Sequence, residues 1–199
     1  ALERLRRFYL AGGTAVGLHL GHRVSLDLDL FSLDEEVDLE AVRRELSKRF
    51  PEAEVVSMTD ATLTVRLDET EVDIVRYPYP PVAALTTEPL GFPLAGLADL
   101  AAMKLAAIAR RGIRRDFWDL YEILRSADGP THREAAQVYQ RRFGRAEADL
   151  YHVARALTFF ADAEQKRSIR LGSHLVSGHI KRFFRAKAPE LLGASVEAL

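Results

Sequence analysis

Apolar residues in the first part of the chain follow the short, alternating pattern of β-strands. Successive side chains of a strand point to opposite faces, whereas apolar residues of a helix recur three and four positions apart. Residues 68–70 are predicted to form a hairpin turn. We predict strands at residues 8–11, 26–31, 53–58, 61–67 and 71–77, and helices at residues 13–20 and 37–50.

Helical spacing dominates the second part of the chain. Five prolines between residues 78 and 93 interrupt any regular pattern, so this stretch is predicted to be a connector or an extended segment across the sheet. Helices are predicted near residues 95–111, 115–126, 131–142, 147–160 and 173–186. The predicted fold class is α+β, a mixed sheet with flanking helices (residues 1–94) followed by a C-terminal helical region (residues 95–199).

Composition excludes several classes of protein. The 199 residues are 48% apolar, which is enough for a substantial core, and the absence of cysteine excludes disulfides and thiolate catalysis. No apolar run approaches the roughly 20 residues that span a bilayer. We therefore expect a soluble, cytoplasmic protein with no membrane partner.

Charge is divided unevenly along the chain. Residues 1–99 carry 10 basic and 18 acidic side chains, whereas residues 100–199 carry 18 basic and 11 acidic ones. A basic half is typical of proteins that bind triphosphates or nucleic acid. Solvated, arginine-rich helices are an equally good explanation for most individual residues.

The predicted strand at residues 26–31 contains two alternating carboxylates, Asp27 and Asp29. On one face of a strand they would repel each other unless a cation neutralised them, and carboxylate oxygens suit Mg²⁺ or Mn²⁺. Asp73 lies between two apolar residues of another predicted strand and is a possible third ligand. A solvent-exposed acid on an edge strand is an equal alternative for Asp73.

A glycine turn, Gly12-Gly13-Thr14, precedes the first predicted helix. Glycine allows close approach of a ligand to the backbone, and the free N–H groups of a helix start bind phosphate. Ser25 has a hydroxyl that can donate to a phosphate oxygen, and we favour it over Arg23 as a site residue. The alternative to phosphate binding, for Ser25 and for Arg23, is that the side chain only shapes the turn.

A second group of polar residues lies within an apolar helical pair. Lys104 has apolar neighbours, so a buried ammonium there would need an acidic or phosphate partner, while snorkelling to water is the alternative. Asp116 and Asp119 share a helix face. Alternatively, Asp116 only caps the helix, and Asp119 pairs with an arginine. The aromatic residues around them are expected in the core. The six histidines form no convincing metal site.

The stretches GGTAVGLHLGHRVSLDLDLF (residues 12–31) and KLAAIARRGIRRDFWDLY (residues 104–121) together resemble the AbiEii/AbiGii nucleotidyltransferase toxins, the group that includes MenT-like toxins. The resemblance implies a DNA polymerase β-like nucleotidyltransferase fold whose helical region completes the active site. It also implies a toxin of a toxin–antitoxin or phage-defence module. Some members transfer nucleotides to the 3′ end of transfer RNA.

Carried over to this sequence, the resemblance makes Asp27 and Asp29 metal ligands, with Asp73 a third ligand and proton acceptor. Three groups of residues follow from it: Gly12, Gly13, Thr14 and Ser25 beside the nucleotide phosphates, Lys104 on the triphosphate, and Asp116 as a catalytic or positioning residue. The implied reaction is metal-dependent transfer of a nucleoside monophosphate from a nucleoside triphosphate to RNA, with an antitoxin as protein partner. The alternatives are a catalytically silent binding module and a transferase for a small molecule such as an aminoglycoside.

Overall fold

The computed structural model describes residues 4–34, 36–87, 92–144, 147–165 and 176–193. The chain divides into two compact units, residues 1–96 and residues 97–199. Within the described residues, no helix is long and apolar enough to cross a membrane.

The first unit is built on a seven-stranded mixed sheet with the strand order β3-β4-β5-β2-β1-β7-β6. The strands are β1 (Phe8–Ala11), β2 (Leu28–Ser32), β3 (Glu54–Met58), β4 (Thr62–Leu67), β5 (Thr70–Val75), β6 (Thr86–Thr87) and β7 (Pro93–Leu94). Strand β2 runs antiparallel to β1 and parallel to β5, and β7 runs parallel to β1. The remaining neighbours are antiparallel.

Two helices accompany the sheet, α1 (Gly12–Leu20) and α2 (Leu39–Arg49). Helix α1 packs against β1 and β2, and α2 packs against β4. All four residues of β1 are buried, because the strand lies inside the sheet and its side chains are covered on both faces. The predicted α+β class, a mixed sheet with flanking helices, is confirmed.

Three details of this unit differ from the sequence-based expectation. Strand β2 begins at Leu28 and not at Leu26. The proline-rich stretch contributes two short strands, β6 and β7, to the sheet edge, although Pro89 lies outside the described residues. The hairpin between β4 and β5 has two loop residues, Asp68 and Glu69, because Leu67 pairs directly with Thr70.

The second unit is helical. Its helices are α3 (Leu97–Arg110), α4 (Arg114–Arg125), α5 (His132–Phe143), α6 (Glu147–Thr158), α7 (Ala161–Gln165) and α8 (Gly178–Gly193). Helix α3 packs against α4, α5 and α6, and α8 packs against α4, α5 and α6. The start of the helix predicted at 173–186 lies partly outside the described residues, and the short helix α7 was not predicted.

Candidate active site

Asp29 and Asp73 are paired residues of two adjacent parallel strands. Asp29 of β2 lies opposite Asp73 of β5 in the strand register, so both side chains project from the same face of the sheet. Neighbouring strands are about 4.8 Å apart. Their neighbours Leu30 and Ile74 point to the other face and are buried. The sheet therefore presents two carboxylates side by side, supported by apolar residues beneath.

The Asp73 carboxylate is held by a hydroxyl on the next strand. Thr64 of β4 is the register partner of Asp73 across the antiparallel pair, and its Oγ1 donates to Asp73 Oδ1 at 2.6 Å. A hydrogen bond to a charged acceptor is among the stronger ones in proteins. Thr64 thereby fixes one oxygen of Asp73 and leaves the other for a second partner. Sequence reasoning missed Thr64.

Gly12 allows the Asp29 carboxylate to lie against the start of α1. Its φ of +63° is in the left-handed region, and a Cβ at this position would overlap the carboxylate of Asp29. Both features require glycine. Strand β1 ends at Ala11, which lies opposite Asp29, so the glycine turn that follows β1 lies beside the Asp29 carboxylate.

Asp27 lies outside the strand in which it was predicted. The chain bends at Asp27, and β2 begins one residue later, so the alternation of strand side chains does not extend to Asp27. The Thr14 hydroxyl donates to the backbone carbonyl of Asp27 and ties the chain to α1 just before the strand. Leu26, expected to anchor the strand, is 52% exposed.

Arg23 and Ser25 lie over the backbone of Gly13. A Cβ at Gly13 would overlap the guanidinium Nη2 of Arg23 and would lie 3.2 Å from Ser25 Oγ. The structure therefore brings the glycine turn together with a hydroxyl, as expected, and adds a guanidinium that the sequence analysis ranked lower. A cation, a hydroxyl and the first N–H groups of a helix are the groups that bind phosphate.

The donor set can be compared with the needs of a divalent metal. Within the described residues, no group of three or more His, Cys, Asp or Glu side chains is arranged to hold a metal ion. Mg²⁺ in nucleotide-dependent enzymes is usually held by one or two carboxylates, while substrate phosphates and water supply the other ligands. The pair Asp29 and Asp73 fits that pattern.

In the helical unit, a buried ion cluster joins α3 to α4. Lys104 Nζ lies 3.0 Å from Asp116 Oδ1 and 2.7 Å from Asp119 Oδ2. Arg111 adds a second cation to Asp116, with Nε 3.0 Å from Oδ2. Two cations and two carboxylates balance, which is what burial of charge requires.

This cluster decides between the alternatives that the sequence left open. Lys104 does not snorkel to water, since it is only 6% exposed, and its partners are carboxylates of its own unit. Asp116 does not cap α4, because the N-cap residue is Ile113. Asp119 pairs with Lys104. Phe117 is fully buried, as expected for a core residue.

Two of the histidines make local contacts. His19 Nε2 donates to the carbonyl oxygen of Ala95 at 2.9 Å within the first unit. The ring of His179 packs on Tyr121, with the ring centroids 5.4 Å apart. His174 lies outside the described residues.

Several known proteins resemble this chain in sequence or in fold. The chain is 30% identical over 191 residues to an uncharacterised protein of Aquifex aeolicus, covering 93% of this chain and 88% of that one. A Helicobacter pylori protein described as a candidate nucleotidyltransferase has a similar fold, with a TM-score of 0.52, 14% identity, and coverage of 100% of this chain and 95% of that one. JHP933 from Helicobacter pylori is similar, with a TM-score of 0.52, 15% identity, and coverage of 99% and 89%.

The family of this chain is identified by its amino-acid sequence. A sequence-family model matches residues 3–189, and its description is nucleotidyl transferase AbiEii toxin of a type IV toxin–antitoxin system. This range includes both stretches on which the resemblance was based. The resemblance is thereby confirmed, and so is the expected nucleotidyltransferase class of enzyme. The chain is a member of the AbiEii family of nucleotidyltransferase toxins.

Proposed function

We propose that this enzyme transfers a nucleoside monophosphate from a nucleoside triphosphate to a hydroxyl of RNA, at the 3′ end of transfer RNA. It acts in the cytoplasm as the toxin of a toxin–antitoxin pair, and its antitoxin is the protein that restrains it. The observation that carries the proposal is the register pairing of Asp29 with Asp73 beside the glycine turn. Two adjacent carboxylates next to a phosphate-binding turn suit a metal-assisted reaction at a triphosphate.

Asp29 and Asp73 would hold Mg²⁺ or Mn²⁺, and Asp27 is a further candidate ligand through its carboxylate. A divalent metal at this place supplies positive charge to the triphosphate and to the oxygens that enter and leave at phosphorus. Because the two carboxylates lie on adjacent strands, their relative position is set by backbone hydrogen bonds and not by flexible loops. Such preorganisation reduces the structural change needed during the reaction.

The glycine turn and its neighbours would bind the phosphates. We assign this role to the backbone N–H groups of Gly12, Gly13 and Thr14 and to the side chains of Ser25 and Arg23. Thr14 already uses its hydroxyl proton for the carbonyl of Asp27, so its contribution comes through its backbone N–H. The Arg23 guanidinium would offset charge on the departing pyrophosphate.

Asp73 would accept the proton of the attacking hydroxyl. The hydroxyl oxygen forms a bond to the α-phosphorus, the bond between this phosphorus and the bridging oxygen of pyrophosphate breaks, and the proton passes to the Asp73 carboxylate. Thr64 holds one oxygen of that carboxylate, so the other is directed to the acceptor. Orientation of the base is a general requirement for such a transfer.

Lys104 and Asp116 are proposed to contribute from the helical unit, Lys104 at the triphosphate and Asp116 by positioning it. For Lys104 to contact a phosphate, its ammonium has to leave or share its two carboxylates. Arg111 would then keep Asp116 neutralised. Loss of activity on replacing Lys104 therefore requires a parallel measurement of stability.

The proposal is tested by incubating the protein with Mg²⁺, total transfer RNA and each α-labelled nucleoside triphosphate in turn. We expect label on RNA with the wild type, and none with Asp29→Asn or Asp73→Asn. The matched control is Asp60→Asn, an exposed acid of the same unit, which should retain activity. Label on no RNA, from any of the four nucleotides, would contradict the proposed acceptor.

A further inference from the structure

A concave surface lies entirely within the helical unit, between the end of α3 and α6. It has a volume of about 520 Å³, within the range of about 300–1,000 Å³ that is usual for small-ligand pockets. Residues 108–112 form one wall. Residues 152–159 contribute the other, and we call this surface the α3–α6 cleft.

The α3–α6 cleft is lined by cations. Arg110, Arg111 and Arg155 all contribute to its surface, and no acidic residue is among its lining residues. Arg110 and Arg155 are exposed, and in the described ranges neither forms an ion pair with a carboxylate. Arg111 binds Asp116 but is still 56% exposed. A concave surface with several exposed guanidinium groups attracts anions, above all phosphates.

The walls of the cleft are connected by a hydrogen bond. His152 of α6 lies with Nε2 3.2 Å from the carbonyl oxygen of Ala109, near the end of α3. A carbonyl oxygen only accepts, so Nε2 is the donor. This hydrogen bond adds to the packing of α3 against α6, which sets the separation of the two walls.

An exposed aromatic ring lies at the edge of the same cleft. Phe159 follows the last residue of α6 and is 58% exposed, and its N–H donates to the carbonyl oxygen of Ala156 at 3.1 Å. A turn therefore fixes the backbone that carries the ring. Exposed aromatic rings beside arginines are the usual arrangement for single-stranded nucleic acid, where the ring stacks on a base and the cations contact phosphates.

We infer that the α3–α6 cleft binds a single-stranded segment of the acceptor RNA, with Arg110 and Arg155 on its phosphates and a base stacked on Phe159. The inference rests on the proposed function, in which RNA is the acceptor. The carbonyl end of α3 disfavours an anion, so the arginine side chains have to provide the attraction. An acidic protein surface would also pair with arginines, but a concavity of this size and an exposed ring fit a nucleotide better.

Binding can be measured without catalysis, by fluorescence anisotropy of labelled transfer RNA in the absence of metal and nucleotide. We expect the double variant Arg110→Gln/Arg155→Gln to bind at least about tenfold more weakly. The slope of log affinity against log salt should become shallower by about 1.4–1.8, since each phosphate contact contributes about 0.7–0.9. Phe159→Ala should weaken binding without changing the slope.

The matched control removes the same charge elsewhere in the unit. Arg141 of α5 and Arg182 of α8 are exposed and do not line the cleft. The variant Arg141→Gln/Arg182→Gln should keep the affinity and slope of the wild type. Circular dichroism and the Tm of each variant establish that it is folded.

The outcomes separate this inference from the proposed function. Equal RNA affinity of the two double variants, or no binding by the wild type, would overturn the cleft assignment even if nucleotide transfer to RNA is observed. Selective loss of binding in the cleft variant supports it even if no transfer occurs, in which case the proposed acceptor is wrong. Polyglutamate serves as a probe for an acidic protein partner. If the cleft variant keeps its affinity for RNA and loses affinity only for polyglutamate, the cleft is a site for an acidic protein and the inference fails.

Discussion

Asp29 and Asp73 lie directly opposite each other on two parallel strands, although helix α2 and two strands separate them in sequence. Like charges at facing positions of a sheet destabilise it. A bound cation would relieve this repulsion, and several consequences can be measured.

The first prediction concerns metal binding. Mg²⁺ or Mn²⁺ should raise the Tm of the wild type, because a ligand at 100 times its Kd stabilises the folded state by about 2.7 kcal/mol. Asp29→Asn and Asp73→Asn should lose most of this shift, and without metal each should be at least as stable as the wild type. Differential scanning calorimetry with and without EDTA measures both effects. An equal metal-dependent shift in Asp73→Asn would exclude Asp73 as a ligand.

The second prediction concerns Thr64, which donates to Asp73 at 2.6 Å. Thr64→Val keeps the shape and removes the hydroxyl, and a hydrogen bond to a charged group is worth about 1.5–3 kcal/mol. We expect kcat to fall at least about tenfold, with little change in KM for the nucleotide. Thr64→Ser keeps a hydroxyl at this position and should therefore retain most of the wild-type kcat in steady-state kinetics. Thr62→Val, on the same face of β4, is the control and should behave as the wild type.

The third prediction concerns the buried ion cluster of the helical unit. Removing one partner of a buried pair costs about 3–5 kcal/mol, so Lys104→Met should strongly lower the free energy of unfolding in urea. Lys104→Met/Asp119→Leu should recover much of that loss, since Arg111 still neutralises Asp116. Lys187→Met, at an exposed ion pair, should cost little. A single Lys104 variant as stable as the wild type would show that the cluster contributes no stability.

The fourth prediction concerns pH. Burial lowers the pKa of His132 from its ordinary value, and the nearby Glu190 carboxylate only partly opposes this effect. The unfolded chain therefore takes up a proton before the folded protein does, and this histidine makes stability fall as the pH drops below about 6.5. His132→Gln should reduce the loss of stability between pH 7 and pH 5. Urea midpoints across this range measure the difference, and an unchanged pH dependence would contradict the assignment.

Strands and helices with a clear apolar period were predictable from the sequence. Phe8–Ala11 is observed as predicted, and helices α3 to α6 agree within one or two residues, whereas α8 was predicted to end at residue 186 and ends at Gly193. Pro93–Leu94 was not recognised as a strand, because two residues carry no period and proline argues against a strand. Its pairing with β1 depends on the tertiary fold.

The candidate site was predictable in its residue types but not in its geometry. A three-residue turn at 68–70 would place Val65 opposite Asp73, whereas the observed two-residue turn places Thr64 there. A shift of one residue in register exchanges the two faces of a strand. Asp27 was assigned to β2 by alternation alone, and the backbone of Asp27 instead accepts a hydrogen bond from Thr14, a residue 13 positions away.

The sheet topology also fixes when the paired carboxylates can form. Strands β3, β4 and β5 are joined by short hairpin connections, whereas the β2–β5 pair links segments that are distant in sequence. Local hairpins close early in folding, and parallel pairing across a long loop is slow because the loop loses entropy first. An intermediate that contains only the local hairpins has Asp73 beside Thr64 but lacks Asp29. We therefore expect the candidate site to form late in folding.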